Sequence, residues 1–403
     1  MTDRCTCSRS TIAGRSRSAK HLIFGAFALA GAEGVLQPRG RRGRSLTDIW
    51  RPPRPMSAPP ELSPSGQCDH GRVRVVAAID KFRGTASAAD AAAAVCRAAA
   101  KAGWHCDVRP MADGGEGTLE ALGGPNRRTT VMGPLGDPVE AEWRLSKRTA
   151  VIEMARASGL ALVGGPEGND PIAASTHGTG ELIAAALEAG ANRVIVGVGG
   201  SATTDGGLGA IRAIFPPARM RGVELLVACD VRTMFVDAAE VFGPQKGATP
   251  AQVELLRRRL ERLAQIYVEE YGVDVRAIPG AGAAGGLAGG LAALGAELIS
   301  GFDLVASETD LLDAFEGADL IVTGEGFLDA QSFEGKVVGG VIELASAVGV
   351  PVVVVAGEVF EDASGDIDAI SLVDHCGRER ALGDTLTCIE EVVLGRMSGK
   401  RKR

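Results

Sequence analysis

Valine-rich runs alternate with helical stretches along this chain, and one after another they stop at a glycine beside a carboxylate. Arg72–Ile79, His105–Arg109, Arg193–Val198, Val223–Ala228, Ala318–Val322 and Pro351–Val355 read as strands from their short apolar runs. Between them fall helical stretches: Ser87, a natural N-cap, to about Ala102, then Thr179–Ala189, Ala251–Glu270 and Gly335–Val348. Strands alternating with helices predict an α/β fold with a mostly parallel sheet. The pattern changes from Thr129 to Ala155. There Thr129–Met132, Glu140–Leu145 and Thr149–Met154 are short strands broken by Gly133-Pro134 and Gly136-Asp137-Pro138. That segment predicts antiparallel or mixed sheet and a change of domain.

The strand ends carry the chemistry. Five apolar runs close on Asp113/Glu116, Asp205, Asp230, Glu325 and Glu358. Ligands of open α/β sheets bind beyond the carboxyl ends of the strands. Glycine there lets backbone approach a ligand. Exposed N–H groups of turns and helix starts hold phosphate, and neighbouring carboxylates suit Mg²⁺ shared with phosphate oxygens. The combination points to phosphoryl transfer. Known phosphate motifs do not account for it. Gly335-Lys336 is followed by Val337, so the P-loop pattern is absent, as is the protein-kinase HRD and DFG set. Gly280-x-Gly282-x-x-Gly285 matches the dinucleotide fingerprint. The preceding Arg276–Pro279 is not a strand, so a nicotinamide-dependent dehydrogenase stands only as an alternative.

The 403 residues carry a net charge of −7, which conceals a division. Residues 1–70 carry +6 and residues 396–403 carry +5, leaving the body 71–395 at −18 with five lysines. An acidic body is a poor nucleic-acid binder. Attraction of anionic substrates must come from local cations and N–H groups. Lys81, Lys246 and Lys336 all lie in glycine-bearing motifs. Residues 1–70 read as a disordered basic extension or leader, with Met56 as an alternative start; 396–403 read as a basic tail. The apolar run Leu22–Ala32 is too short to span a bilayer, and no membrane segment is expected. Eight scattered cysteines without a CxxC pair suggest neither zinc site nor disulfide framework, so a cytoplasmic setting is expected.

Asp80-Lys81-Phe82-Arg83-Gly84-Thr85 resembles the N-terminal signature of the bacterial glycerate kinase family of the glyoxylate and glucarate pathways. Ala112–Thr118, Thr176–Glu181, Gly199–Gly207, Ala228–Val231, Val241–Ala248, Pro279–Gly286 and Thr323–Ser332 resemble further signatures in the family's order. The sequence departs from the pattern at Arg83, where Lys is common, and at Thr204, an Asn position. Arg232-Thr233-Met234 replace an expected Asn-Pro, and Gly209–Val223 is some tens of residues short. The resemblance implies ATP-dependent phosphorylation of D-glycerate with Mg²⁺, chiefly to 2-phosphoglycerate. A kinase of the same fold acting on another small hydroxy acid is the alternative, because the substrate lobe is trimmed. The implied fold is two α/β domains with the active site in the interdomain cleft. One is flavodoxin-like, from 71–125 and 279–395; the other, 126–278, is inserted.

Roles follow, each beside a plainer reading. Asp205 is the candidate base, or else caps the next helix. Lys81 and Arg83 suit the glycerate carboxylate or the phosphates, or else belong to a solvated loop. Asp113 and Glu116 are candidates for substrate or metal, although Glu116 also suits the first turn of its helix. Ser201 and Thr203 are candidate substrate hydrogen-bonders. Gly280, Gly282, Gly285, Gly286, Lys246 and Lys336 are candidate nucleotide and phosphate contacts, and Glu325 and Asp329 candidate metal ligands. His177 and His105 read as structural.

Overall fold

The computed structural model describes residues 73–333, 336–360 and 367–399. The N-terminal extension, the alternative start at Met56 and the last four residues of the basic tail lie outside them. Eleven strands among the described residues form two sheets. The first contains β1 (Arg74–Ala77), β2 (His105–Val108), β9 (Leu320–Leu328), β10 (Val352–Val359) and β11 (Ala369–Ser371). All its pairs are parallel, in the order β2-β1-β9-β10-β11. Numbered along the chain within that sheet, this is the flavodoxin-like order 2-1-3-4-5. Its switch point lies between β1 and β9, at Asp80 and Glu325.

The second sheet runs β3 (Arg127–Met132), β4 (Pro138–Ser146), β5 (Thr149–Glu153), β6 (Arg193–Gly197), β7 (Glu224–Ala228), β8 (Glu297–Ile299). The first two pairings are antiparallel and the rest parallel, so the mixed character expected after Thr129 is present. The expected return to the first sheet at residue 279 is too early. The helix Ala283–Ala293 buries Leu287 and Leu291 with Val194 and Val227, and β8 pairs with β7. Both extend the second sheet's layer to Ile299.

Local chemistry explains the main helices. Ser87 accepts the Asp90 N–H at the head of Ala88–Ala102, and Gly103 ends that helix at φ +77°. Pro250–Tyr271 starts with a Thr249/Gln252 capping box and ends on Gly272. The Val75–Ala77 segment of β1 is fully buried between helices.

Two strands run further than their apolar runs suggest. Thr323–Gly326 and Ala356–Glu358 pair in β9 and β10, with Gly324 opposite Val355 and Glu325 opposite Ala356. A Cβ at Gly324 would stand 1.8 Å from the Val355 carbonyl oxygen. Glycine there serves close strand approach. The structure also corrects the cysteine expectation: Cys96 and Cys106, on the first long helix and β2, are joined in a disulfide. No helix among the described residues is long and apolar enough to cross a membrane.

Candidate active site

A cavity of about 420 Å³ is lined by loops that follow strands of both sheets. Asp113 and Gly114-Gly115 come from beyond β2, Val198–Ser201 from beyond β6, and Cys229-Asp230 from beyond β7. Arg83 and Lys246 add cations, and Ala283-Ala284 add backbone. A second cavity, about 430 Å³, adjoins through Arg83 and is lined by Lys81, the Ser87 helix start, Glu116 and Arg156.

Several groups here are unusually poised. Asp230 accepts the Gly301 N–H on Oδ1 at 2.7 Å, while its buried Oδ2 has no partner. Burial, reinforced by the Asp113 charge, pushes its carboxyl up to about 7. Asp80 sits at the switch point, donating its N–H to the Gly324 carbonyl. Burial pushes its carboxyl up to about 7 as well, with Lys81 opposing and Asp113 and Glu325 adding to the rise. The Lys81 ammonium lies 3.8 Å from both Asp80 and Asp113. Lys246 is 2 % exposed, donates from Nζ to the Thr203 carbonyl at 2.6 Å, and rests 5.9 Å from the centre of the Phe242 ring. Burial pulls its ammonium down to about 7, against the Asp205 charge. The Cys229 thiol is pushed up by burial to about 11, so it is no nucleophile near neutrality.

The glycine motifs hold this arrangement together by close contact. Ala284, Gly285 and Gly286 are all left-handed, at φ of +52°, +66° and +90°. A Cβ at Gly285 would sit 2.0 Å from the Thr203 carbonyl oxygen. Non-glycine residues held left-handed, as Ala284 is, cluster at ligand sites. The Ala284 turn is thereby pressed into the cavity wall.

Residues 75–215 and 216–386 match the sequence model of the Glycerate kinase family. The chain belongs to that family. A glycerate kinase of Halalkalibacterium halodurans is 42 % identical over 325 residues, covering 71 % of this chain and 85 % of that protein. The glycerate 2-kinase of Escherichia coli K12 is 39 % identical over 331 residues, covering 72 % and 87 %. A crystal structure from Salmonella typhimurium LT2, provisionally named glycerate kinase 2, superposes with a TM-score of 0.70 at 34 % identity. It covers 82 % of this chain and all of its own. The 325 positions aligned with the first relative span only about 286 residues of this 403-residue family member. Relatives therefore carry internal residues that this chain lacks.

Within this glycerate kinase family member, the expected site residues separate into two groups. Arg83, Asp113, Ser201 and Lys246 line the first cavity, and Lys81 and Glu116 the second. Asp205 lines neither. Its Oδ2 accepts the Thr176 N–H and hydroxyl, both at 2.8 Å, and the Gly209 N–H; Oδ1 accepts the Gly207 N–H. A carboxylate so fully engaged orders the turn before His177 and the start of the helix Leu208–Ile214, in keeping with the plainer reading of Asp205 as a cap. Thr203 is fully buried and contributes its carbonyl to Lys246. A Cβ at Gly280, Gly282, Gly285 or Gly286 would meet neighbouring backbone or side chains at close range, and none of the four lines the first or second cavity; Ala283 and Ala284 do line the first. The segment ahead of them, Val275–Ala277, is a 3-10 turn. The dinucleotide fingerprint thus lacks its strand, which removes the dehydrogenase alternative.

Asp329 is occupied by the Ser332 N–H and hydroxyl. Lys336 precedes the helix Val337–Val348 and acts on Glu325 by its charge. Glu325 is different. Burial pushes its carboxyl up, and its buried Oε1 has no partner. No group of three His, Cys, Asp or Glu among the described residues is placed to hold a metal. One or two carboxylates plus substrate phosphates is the usual Mg²⁺ environment. The unpartnered Glu325 oxygen and the nearby Asp113 fit that requirement.

Asp80 and Asp230 join the functional candidates. The sequence marks Asp230 only by its place at a strand end and Asp80 only as the first residue of the N-terminal signature, with no role for either. Glu153 was not signalled: it accepts the Gly117 and Leu119 N–H groups, fixing the loop that carries Glu116.

Proposed function

We propose that this protein transfers the γ-phosphoryl group of ATP to a hydroxyl of D-glycerate, with 2-phosphoglycerate as product. The observation that carries the reading is the first cavity, where Asp230, Lys246, Asp113 and Arg83 converge on glycine-bordered backbone. Arg83, shared by both cavities, pairs with the glycerate carboxylate in a two-point contact. Lys246 and the backbone of Gly199–Ser201 and Ala283-Ala284 receive the phosphates. The glycerate hydroxyl loses its proton to Asp230 Oδ2 as its oxygen bonds to the γ-phosphorus. The bond from that phosphorus to the β–γ bridging oxygen breaks, and ADP leaves. A carboxylate held near 7 is a stronger base than an ordinary aspartate. Asp113 and Glu325 would hold Mg²⁺, which supplies neutralisation of phosphate charge.

Lys81 keeps two carboxylates, Asp80 and Asp113, from repelling each other before substrate arrives. A cytoplasmic setting, where ATP is abundant, belongs to the proposal. The internal shortening relative to the first relative favours a second reading, in which another small hydroxy acid is the acceptor. The test is ATP turnover with D-glycerate and a panel of hydroxy acids, the product assigned by phosphorus NMR. No ATP turnover with any of them would refute the kinase reading, and preference for a different acid would select the second.

A further inference from the structure

A third cavity, about 460 Å³, belongs to neither substrate site. It opens between the long helix Pro250–Tyr271 and the same glycine-rich loop that lines the first cavity. That loop turns Val198–Ser201 to the first cavity and Thr204-Asp205 to the third. The cavity's apolar surface comes from Ile172, Leu208, Leu263 and Ile266, and its rim carries Arg258, Arg259 and Arg262.

Two independent observations mark it as a ligand site. Arg259 donates one N–H to the Ile172 carbonyl and has no carboxylate partner among the described residues. Its neighbours Arg258 and Arg262 are held only by exposed groups of their own helix, Arg258 by Glu254 and Arg262 by Gln265 and Glu269, contacts that exchange readily for another anion. Thr204 is 2 % exposed, lines the cavity, and has a buried hydroxyl with no hydrogen-bond partner. Buried hydroxyls are nearly always satisfied, so an oxygen arriving in this cavity meets a waiting donor. The Asp205 charge does not repel an anion strongly here, because four N–H and O–H donors already surround it.

We propose that this cavity binds a small amphipathic organic anion. Its apolar body covers the Ile172, Leu208, Leu263 and Ile266 surface, and its carboxylate, sulfonate or phosphate pairs with Arg259. The volume is in the range of small-molecule sites.

The probe is 8-anilinonaphthalene-1-sulfonate, an aromatic sulfonate whose fluorescence rises in apolar surroundings. Titrated into the folded, full-length chain, it saturates at one molecule per chain. Saturation persists in the presence of ATP and D-glycerate, and in Lys246→Met. Affinity falls at least tenfold in Arg259→Glu and in Ile266→Glu, both checked by circular dichroism for retained fold. Benzoate and phenyl phosphate displace the dye. Failure to saturate, displacement by ATP or glycerate, unchanged affinity in both variants, or signal that appears only as the protein is heated would each overturn the proposal. These readouts are independent of catalysis, so they stand even if the kinase reading fails.

Discussion

Asp230→Asn should push activity and stability in opposite directions. Asparagine keeps an oxygen for the Gly301 N–H, so the local fold is retained. It cannot accept the hydroxyl proton, and kcat should fall by about 10²–10⁴, the usual worth of a general base. Stability follows from the titration. The folded carboxyl sits near 7 against an ordinary 3.8, so between those values the folded state holds a proton that the unfolded state releases. Wild-type stability therefore declines as pH rises from about 4 to about 7, and the loss is complete above 7. Three units at about 1.4 kcal/mol each give about 4 kcal/mol as the upper bound. The substituted amide does not titrate, so the variant should melt several degrees above wild type at pH 8, with the gap closing towards pH 4. The assays are coupled ATP turnover and calorimetry across that range. A kcat within threefold of wild type at pH 8 would refute Asp230 as base. A lowered melting temperature at pH 8 would show instead that its carboxylate is a structural acceptor.

The wild-type pH profile of kcat/KM should be a narrow bell near 7, since Asp230 must be ionised and Lys246 protonated. Lys246→Met should remove the basic limb and raise KM for ATP at least tenfold while leaving the fold intact; an unchanged basic limb would exclude Lys246. Asp205→Asn should lower the melting temperature, because an amide cannot accept all the donors around Thr176 and Gly209; loss of turnover at full stability would restore Asp205 as base. Gly324→Ala should prevent folding or cost several kcal/mol, given the 1.8 Å approach to Val355. Gly395→Ala, a helical position with open space around it, should instead gain about 0.5–1 kcal/mol by urea denaturation.

The parallel sheets were legible because Val-rich runs and helix caps are local signals. Ser87 begins its helix as the sequence suggests, and Thr249 and Gly272, like it, act within a few residues of where they stand. Long-range geometry was not legible. Asp205 and Asp230 share the same kind of context, an acid beyond an apolar run. What separates them is the Thr176 turn, 29 residues upstream, which closes on one and not the other. The apolar run before Gly-Glu-Gly at 324–326 suggests a strand that stops there. The strand continues because Val355 approaches from another segment. Leu287 and Leu291 would suit either layer, and only β8 pairing with β7 commits them to the second.

The two sheets differ in when their parts emerge from the ribosome. Strands β3 to β8 are consecutive, so the second sheet has all its pairing partners once Ile299 is out. In the first sheet, Val75 of β1 pairs with Leu320 of β9, and β11 does not end until Ser371. The β1–β2 pair must therefore keep its apolar faces from aggregation through most of synthesis. A chain halted after residue 299 could assemble the later-encoded layer and still lack the sheet with which it began.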